Sequence, residues 1–133
     1  MIQPHLVLEL LESRLSVCRL EPGEALPSWA FTEGPFCSVT RTREELSVVC
    51  KEKAVPPGIR CERDWRALKV EGPLDFALTG ILVALAAPLA EAGISIFAIS
   101  TYDTDYLMVR EPSLDKALET LIKSGHSIKL PHC

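Results

Sequence analysis

Ile94-Ser95-Ile96-Phe97-Ala98-Ile99-Ser100-Thr101-Tyr102-Asp103-Thr104-Asp105-Tyr106-Leu107-Met108-Val109-Arg110 is the stretch whose reading decides the fold. Residues 94–100 and 106–110 are apolar, strand-like runs on either side of the turn-forming Thr101-Tyr102-Asp103-Thr104, so together they predict a β-hairpin. Moving outward towards the N-terminus, the apolar run predicts a long helix over 74–91 that Gly93 closes. Before it, residues 65–71 alternate with Leu68 and Val70 on one face, a strand that ends at the Gly72-Pro73 turn. Moving outward the other way, Pro112-Ser113 opens a second helix with Ser113 as its N-cap. Leu114, Ala117, Leu118, Leu121 and Ile122 form the apolar stripe of that helix, Gly125 ends it, and residues 126–130 supply a last strand. Residues 65–130 therefore read strand, helix, strand, strand, helix, strand. This is the α+β, ferredoxin-like (βαββαβ) order, an antiparallel sheet covered on one face by two helices.

The preceding half is strand-rich and lacks a comparable helix. Residues 5–11 and 14–20 predict a hairpin around Glu12-Ser13, and residues 36–41 and 46–50 predict another around Thr42-Arg43-Glu44-Glu45. Between them, Pro22, Gly23, Pro27, Gly34 and Pro35 leave room for one short helix near residues 25–31, and Pro56-Pro57-Gly58 marks a linker. Residues 40–49 can be laid over residues 100–109, with Glu45 opposite Asp105, as expected of a degenerate internal repeat. The expected organisation is a strand-rich module with its linker over 1–63 and a complete module over 64–133.

The 133 residues carry 14 Lys and Arg against 18 Asp and Glu, a net charge of −4, which supplies no basic footprint for nucleic acid. Five cysteines without a Cys-x-x-Cys pair encode neither a disulfide framework nor a zinc site, so no metal or cofactor is expected. The start Met1-Ile2-Gln3-Pro4-His5 lacks the pattern of a secretory signal, and a cytoplasmic location is expected. Residues 76–90 carry no charge but are too short for a membrane span, contain Gly80 and Pro88, and lie between Asp75 and Glu91. In a helix, Leu74, Leu78, Leu82, Leu85 and Leu89 would face the sheet, with Ala77, Ile81 and Ala84 on the other side. The prediction is a second packing surface, supplied by the N-terminal half or another subunit.

No catalytic constellation appears. Gly-x-Ser-x-Gly, phosphate-loop and His-Glu-x-x-His patterns are all missing, so the protein is read as a non-enzyme. Three segments have the chemistry to hold a small molecule. Glu91-Ala92-Gly93-Ile94 runs from a helix end into a strand, where a glycine exposes backbone groups, although a simple helix cap has the same sequence. In the hairpin, Thr101 and Tyr102 offer a hydroxyl and an aromatic face, and Asp105, at the start of a strand, presents a carboxylate to a cationic group. Glu71 to Asp75 precede the long helix, where free N–H groups suit a carboxylate, or where Asp75 merely caps the helix.

Residues 70–81, 91–97 and 100–106 together resemble the ACT-domain group, which includes aspartate-kinase-type regulatory modules and the cytosolic arginine sensors called CASTOR. Residues 38–50 resemble the first, degenerate module of small double-ACT proteins. The resemblance implies a regulatory protein that binds an amino acid at an interface between ACT modules. It implies a ligand-binding set of Glu91, Ala92, Gly93, Ile94, Thr101, Tyr102 and Asp105, with Asp105 facing a guanidinium. A homodimer is expected to complete the pocket, with a regulated protein as a further partner. The competing reading is a ligand-free interaction module that uses the apolar helix 74–91.

Overall fold

A computed structural model describes residues 5–31, 34–71 and 80–131 of the chain. The strands are β1 (Val7–Leu10), β2 (Leu15–Leu20), β3 (Ser38–Arg41), β4 (Leu46–Lys51), β5 (Arg60–Val70), β6 (Phe97–Ser100), β7 (Asp105–Arg110) and β8 (Ser127–Lys129). The helices are α1 (Ile81–Glu91) and α2 (Leu114–Lys123). The chain forms two compact units, one made of residues 1–11 with 66–133 and the other of residues 12–65.

In the larger unit the expected order holds: the later half of β5, then α1, β6, β7, α2 and β8. β7 pairs with both β5 and β6, as a ferredoxin-like sheet requires. β1 departs from expectation. It forms no hairpin with β2 but pairs antiparallel with β5 (Leu8 opposite Val70) and parallel with β8 (Leu8 opposite Ile128), as a fifth strand between them. The reason lies in its alternation. Leu6, Leu8 and Leu10 are all buried on the helix-covered face with Leu68, Val70, Leu107 and Val109, an apolar face that a two-stranded ribbon would leave wet. Leu85 and Leu89 from α1 and Leu114, Ala117 and Leu121 from α2 close the same core.

Both helices differ from their sequence reading. Gly80 has φ +79°, a left-handed residue at the N-cap of α1, so the described helix begins at Ile81 and does not run unbroken through Gly80. The remainder of the expected helix, residues 74–79, lies outside the described residues. The faces of α1 are also rotated from expectation: Ala84 is buried and Ile81 packs on the core, while Leu82 and Val83 are exposed. α2 is entered through a 3-10 turn, Glu111–Ser113, and Ser113 makes no side-chain cap bond. Ile122, assigned above to the inner stripe, is exposed.

The smaller unit is an antiparallel sheet in the order β3-β4-β2-β5, in which β5 contributes its first residues. Along the chain its elements are β2, a 3-10 turn at Ser28–Phe31, β3, β4, a 3-10 turn at Glu52–Ala54, and β5. Two short turns occupy the places of two helices, and the strand order is that of a ferredoxin-like sheet. Its core gathers Cys18, Leu46, Val48 and Cys50 beneath Ala30. A bulge interrupts the β2–β5 pairing between Leu15 and Val17, where Asp64 has φ +66° and donates its N–H to Glu52 Oε1 at 2.8 Å.

Candidate ligand-binding site

The end of α1 is a complete Schellman motif. Gly93 N–H donates to the Ala90 carbonyl at 3.0 Å and Ile94 N–H donates to the Leu89 carbonyl at 2.9 Å, with Gly93 at φ +76° between them. The Ala92 N–H is also used, bonding the Pro88 carbonyl at 3.1 Å. The donors of residues 92–94 that sequence reasoning assigned to a ligand therefore close the helix instead. The Ile94 side chain is buried against the core beside Leu89. The turn leaves to solvent the exposed Glu91 side chain and the open space in front of Gly93, where a Cβ would meet nothing within 4 Å.

The β6–β7 hairpin carries the other three candidates. Ser100 and Asp105 are opposed residues, and the Ser100 hydroxyl donates to Asp105 Oδ1 at 2.5 Å, which orients the carboxylate. Thr101 N–H donates to the Thr104 carbonyl at 2.8 Å, and the Thr101 hydroxyl donates to the same oxygen at 3.0 Å. Tyr102 projects from this turn, 82% exposed. Sequence reasoning missed Thr104. Its hydroxyl is buried and donates to the Val70 carbonyl at 2.6 Å, tying the hairpin to the end of β5. The Thr-x-x-Thr spacing signals only the local turn bonds of Thr101, whereas the Thr104 partner lies 34 residues away along the chain, so no local pattern pointed to it.

The structure brings Thr101, Tyr102 and Asp105 together but does not bring them to Glu91–Ile94. The two groups stand at opposite ends of β6, separated by at least the length of four strand residues, roughly 13 Å. In the third candidate segment, Glu71 accepts from Lys129 Nζ at 3.0 Å beside a cleft of about 270 Å³ lined by Glu9, Lys69, Glu71 and Lys129. Residues 72–75 of that segment lie outside the described residues. Among the described residues, no cluster of His, Cys, Asp and Glu is placed to hold a metal ion.

The family model for the ACT domain matches residues 60–123, and a second model, for an N-terminal domain, matches residues 14–58. The crystal structure of protein Atu0741 from Agobacterium tumefaciens is 40% identical, with a TM-score of 0.92 over 98% of this chain and 97% of that one. Residues 60–123 of the chain are an ACT domain. Its similarity to "Cytosolic arginine sensor for mTORC1 subunit 1" of Bos taurus is 34% identity over 99 residues, or 66% of this chain and 30% of that protein. The chain thus spans about 30% of the length of the first curated relatives it matches. The regulatory subunit of aspartate kinase from Thermus thermophilus shares the ACT fold at a TM-score of 0.59, with 10% identity over 84% of this chain and 93% of that one. The last two of these proteins are named as a sensor and as a regulatory subunit. Among the described residues, no helix is long and apolar enough to cross a membrane.

Proposed function

We propose that this protein is a cytoplasmic amino-acid sensor, in which a small effector bound at an interface between ACT modules biases one association geometry over another. The observation that carries the reading is the oriented carboxylate of Asp105, held by Ser100 at the mouth of a hairpin that also presents Thr101 and Tyr102. A fixed carboxylate beside an aromatic ring suits a cationic or amine-bearing side chain, and the relatives named arginine sensors support that class. In the Glu91–Ile94 helix end, the exposed Glu91 side chain and the open space before Gly93 supply the second half of the pocket. Because β6 separates them from the hairpin, the hairpin of one module faces the helix end of another, most simply in a homodimer. The modules are residues 1–63 and 64–133. The strand order the two sheets have in common apart from the inserted β1 supports this division, with β1 crossing over to the sheet of the later module.

A thermal-shift screen against the common L-amino acids tests the proposal. A ligand present at ~100 times its Kd adds about 2.7 kcal/mol of stability. A basic amino acid is expected to raise the Tm of the unmodified protein, and Asp105→Ala is expected to abolish that rise while the unliganded Tm stays the same. A full response in Asp105→Ala removes this residue from the site. The second reading, a ligand-free interaction module, draws on the exposed Leu82 and Val83 of α1 and is favoured if no amino acid moves the Tm.

A further inference from the structure

Four of the five cysteines lie in the smaller unit and three of them gather in its core, a feature with no part in the proposed sensor site. Cys18 on β2 and Cys61 on β5 are directly opposed across an antiparallel pair, and both belong to the same packed cluster as Cys50 on β4. Opposed residues on antiparallel strands have Cα atoms about 4.5–5.5 Å apart, within the ~4.4–6.8 Å span that a disulfide bridges. All three thiols are free. Cys18 is buried, whereas Cys61 is half-buried, and both line a cleft of about 230 Å³ flanked by Arg19, Arg60, Glu45 and Glu62. A small oxidant can therefore reach Cys61 from solvent while Cys18 waits behind it. Cys50 also lies against the Cys18 thiol, but it is buried, stands opposite Ser16 and does not line that cleft, so an oxidant entering there meets Cys61 and not Cys50.

We propose that Cys18 and Cys61 form an oxidisable dithiol that a hydroperoxide closes into a disulfide between β2 and β5. In the first step the Cys61 sulfur, as thiolate, attacks the peroxide. An S–O bond forms, the O–O bond breaks, and the leaving oxygen takes up a proton to depart as water when the oxidant is hydrogen peroxide. In the second, the Cys18 sulfur attacks the Cys61 sulfenic acid. The S–S bond forms, the S–O bond breaks, and the thiol proton leaves with the hydroxide as a second water. The two thiols together lose two electrons, which reduce the peroxide. The Cys18 thiol is held protonated by its neighbour Cys50 first and by burial second, so it serves as the resolving group rather than the attacking one. The closed loop encloses the whole β3–β4 hairpin, so oxidation raises resistance to unfolding.

The full chain is oxidised with hydrogen peroxide, denatured, and its remaining thiols are counted and mapped. The expected product has lost two of five thiols, is lighter by two hydrogens, yields a Cys18–Cys61 cross-linked peptide, and returns to five thiols with dithiothreitol. Its urea midpoint is expected to lie above that of the reduced protein. Cys61→Ser abolishes the cross-link, whereas Cys50→Ser retains it. Oxygen addition at Cys61 without a lighter species overturns the proposal, as does a cross-link that maps to Cys37, Cys50 or Cys133. The map of the unmodified protein decides between these outcomes even if a variant fails to fold.

Discussion

Gly93 shows how far a single residue can be read. That it ends a helix is visible in the sequence, because glycine is the usual left-handed residue at such a position. That the N–H groups around it are consumed was not visible, because a helix cap and a ligand cradle use the same residue type. Open space faces the missing Cβ, so Gly93→Ala adds no clash, only the left-handed strain of an L-residue, about 1–2 kcal/mol. Urea denaturation is expected to show a lower midpoint with an unchanged slope. An unaltered midpoint means that φ at Gly93 is not +76° in solution. The hairpins make the same point. Thr42 accepts the N–H groups of Glu44 and Glu45 as Thr101 accepts that of Thr104, so Thr42 corresponds to Thr101, and Leu46 rather than Glu45 corresponds to Asp105. The overlay read from the sequence is displaced by one residue. It matched acidic side chains, whereas the structure matches threonine hydroxyls.

Among the elements, α1 holds a dependency that its own residues do not reveal. Pro88 has no N–H, so the Ala84 carbonyl lacks its helical donor. His126, beyond the end of α2, fills the gap. Its Nδ1 accepts the Leu6 N–H at 3.1 Å, which puts the proton on Nε2, 3.3 Å from the Ala84 carbonyl. One buried ring thus satisfies β1's approach and α1's proline together. His126→Leu leaves both backbone groups unpaired and is expected to cost at least about 2 kcal/mol in chemical denaturation. Pro88→Ala restores the helical donor, so it is expected to recover about 1 kcal/mol more in the His126→Leu background than in the unmodified chain. A zero coupling energy disproves the link. The periodicity of α2 was legible, and its three best-placed positions, Leu114, Ala117 and Leu121, are buried. The role of His126 was not, because its partners are 42 and 120 residues away along the chain.

For the molecule as a whole, the strand order of the two units agrees except that β1 is inserted between the first and fourth strands of the larger one, with helices in that unit and 3-10 turns in the other. The repeat suspected from sequence character is thus a repeat of topology. The exposed face of α1 bears on association. Val83 is 66% exposed and Leu82 37%, and the proposed sensor needs a second module to complete its pocket. If two copies meet through this face, Val83→Glu leaves the monomer's stability within about 0.5 kcal/mol while weakening the dimer in sedimentation equilibrium. A dimer of unchanged affinity places the interface elsewhere.

By itself the sequence determined the element order from residue 65 onward, the two glycine helix ends and the hairpin with Asp105 at its mouth. Those features follow from local periodicity and backbone preference, which neighbours along the chain decide. Only the tertiary structure decided that β1 slots between β5 and β8 and that the α1 cap uses its own donors. It alone separated the two halves of the candidate pocket along β6, and it alone set His126 against Pro88's orphaned carbonyl. Each of these depends on which distant backbone groups remain unpaired once the core has closed, and no local pattern carries that information.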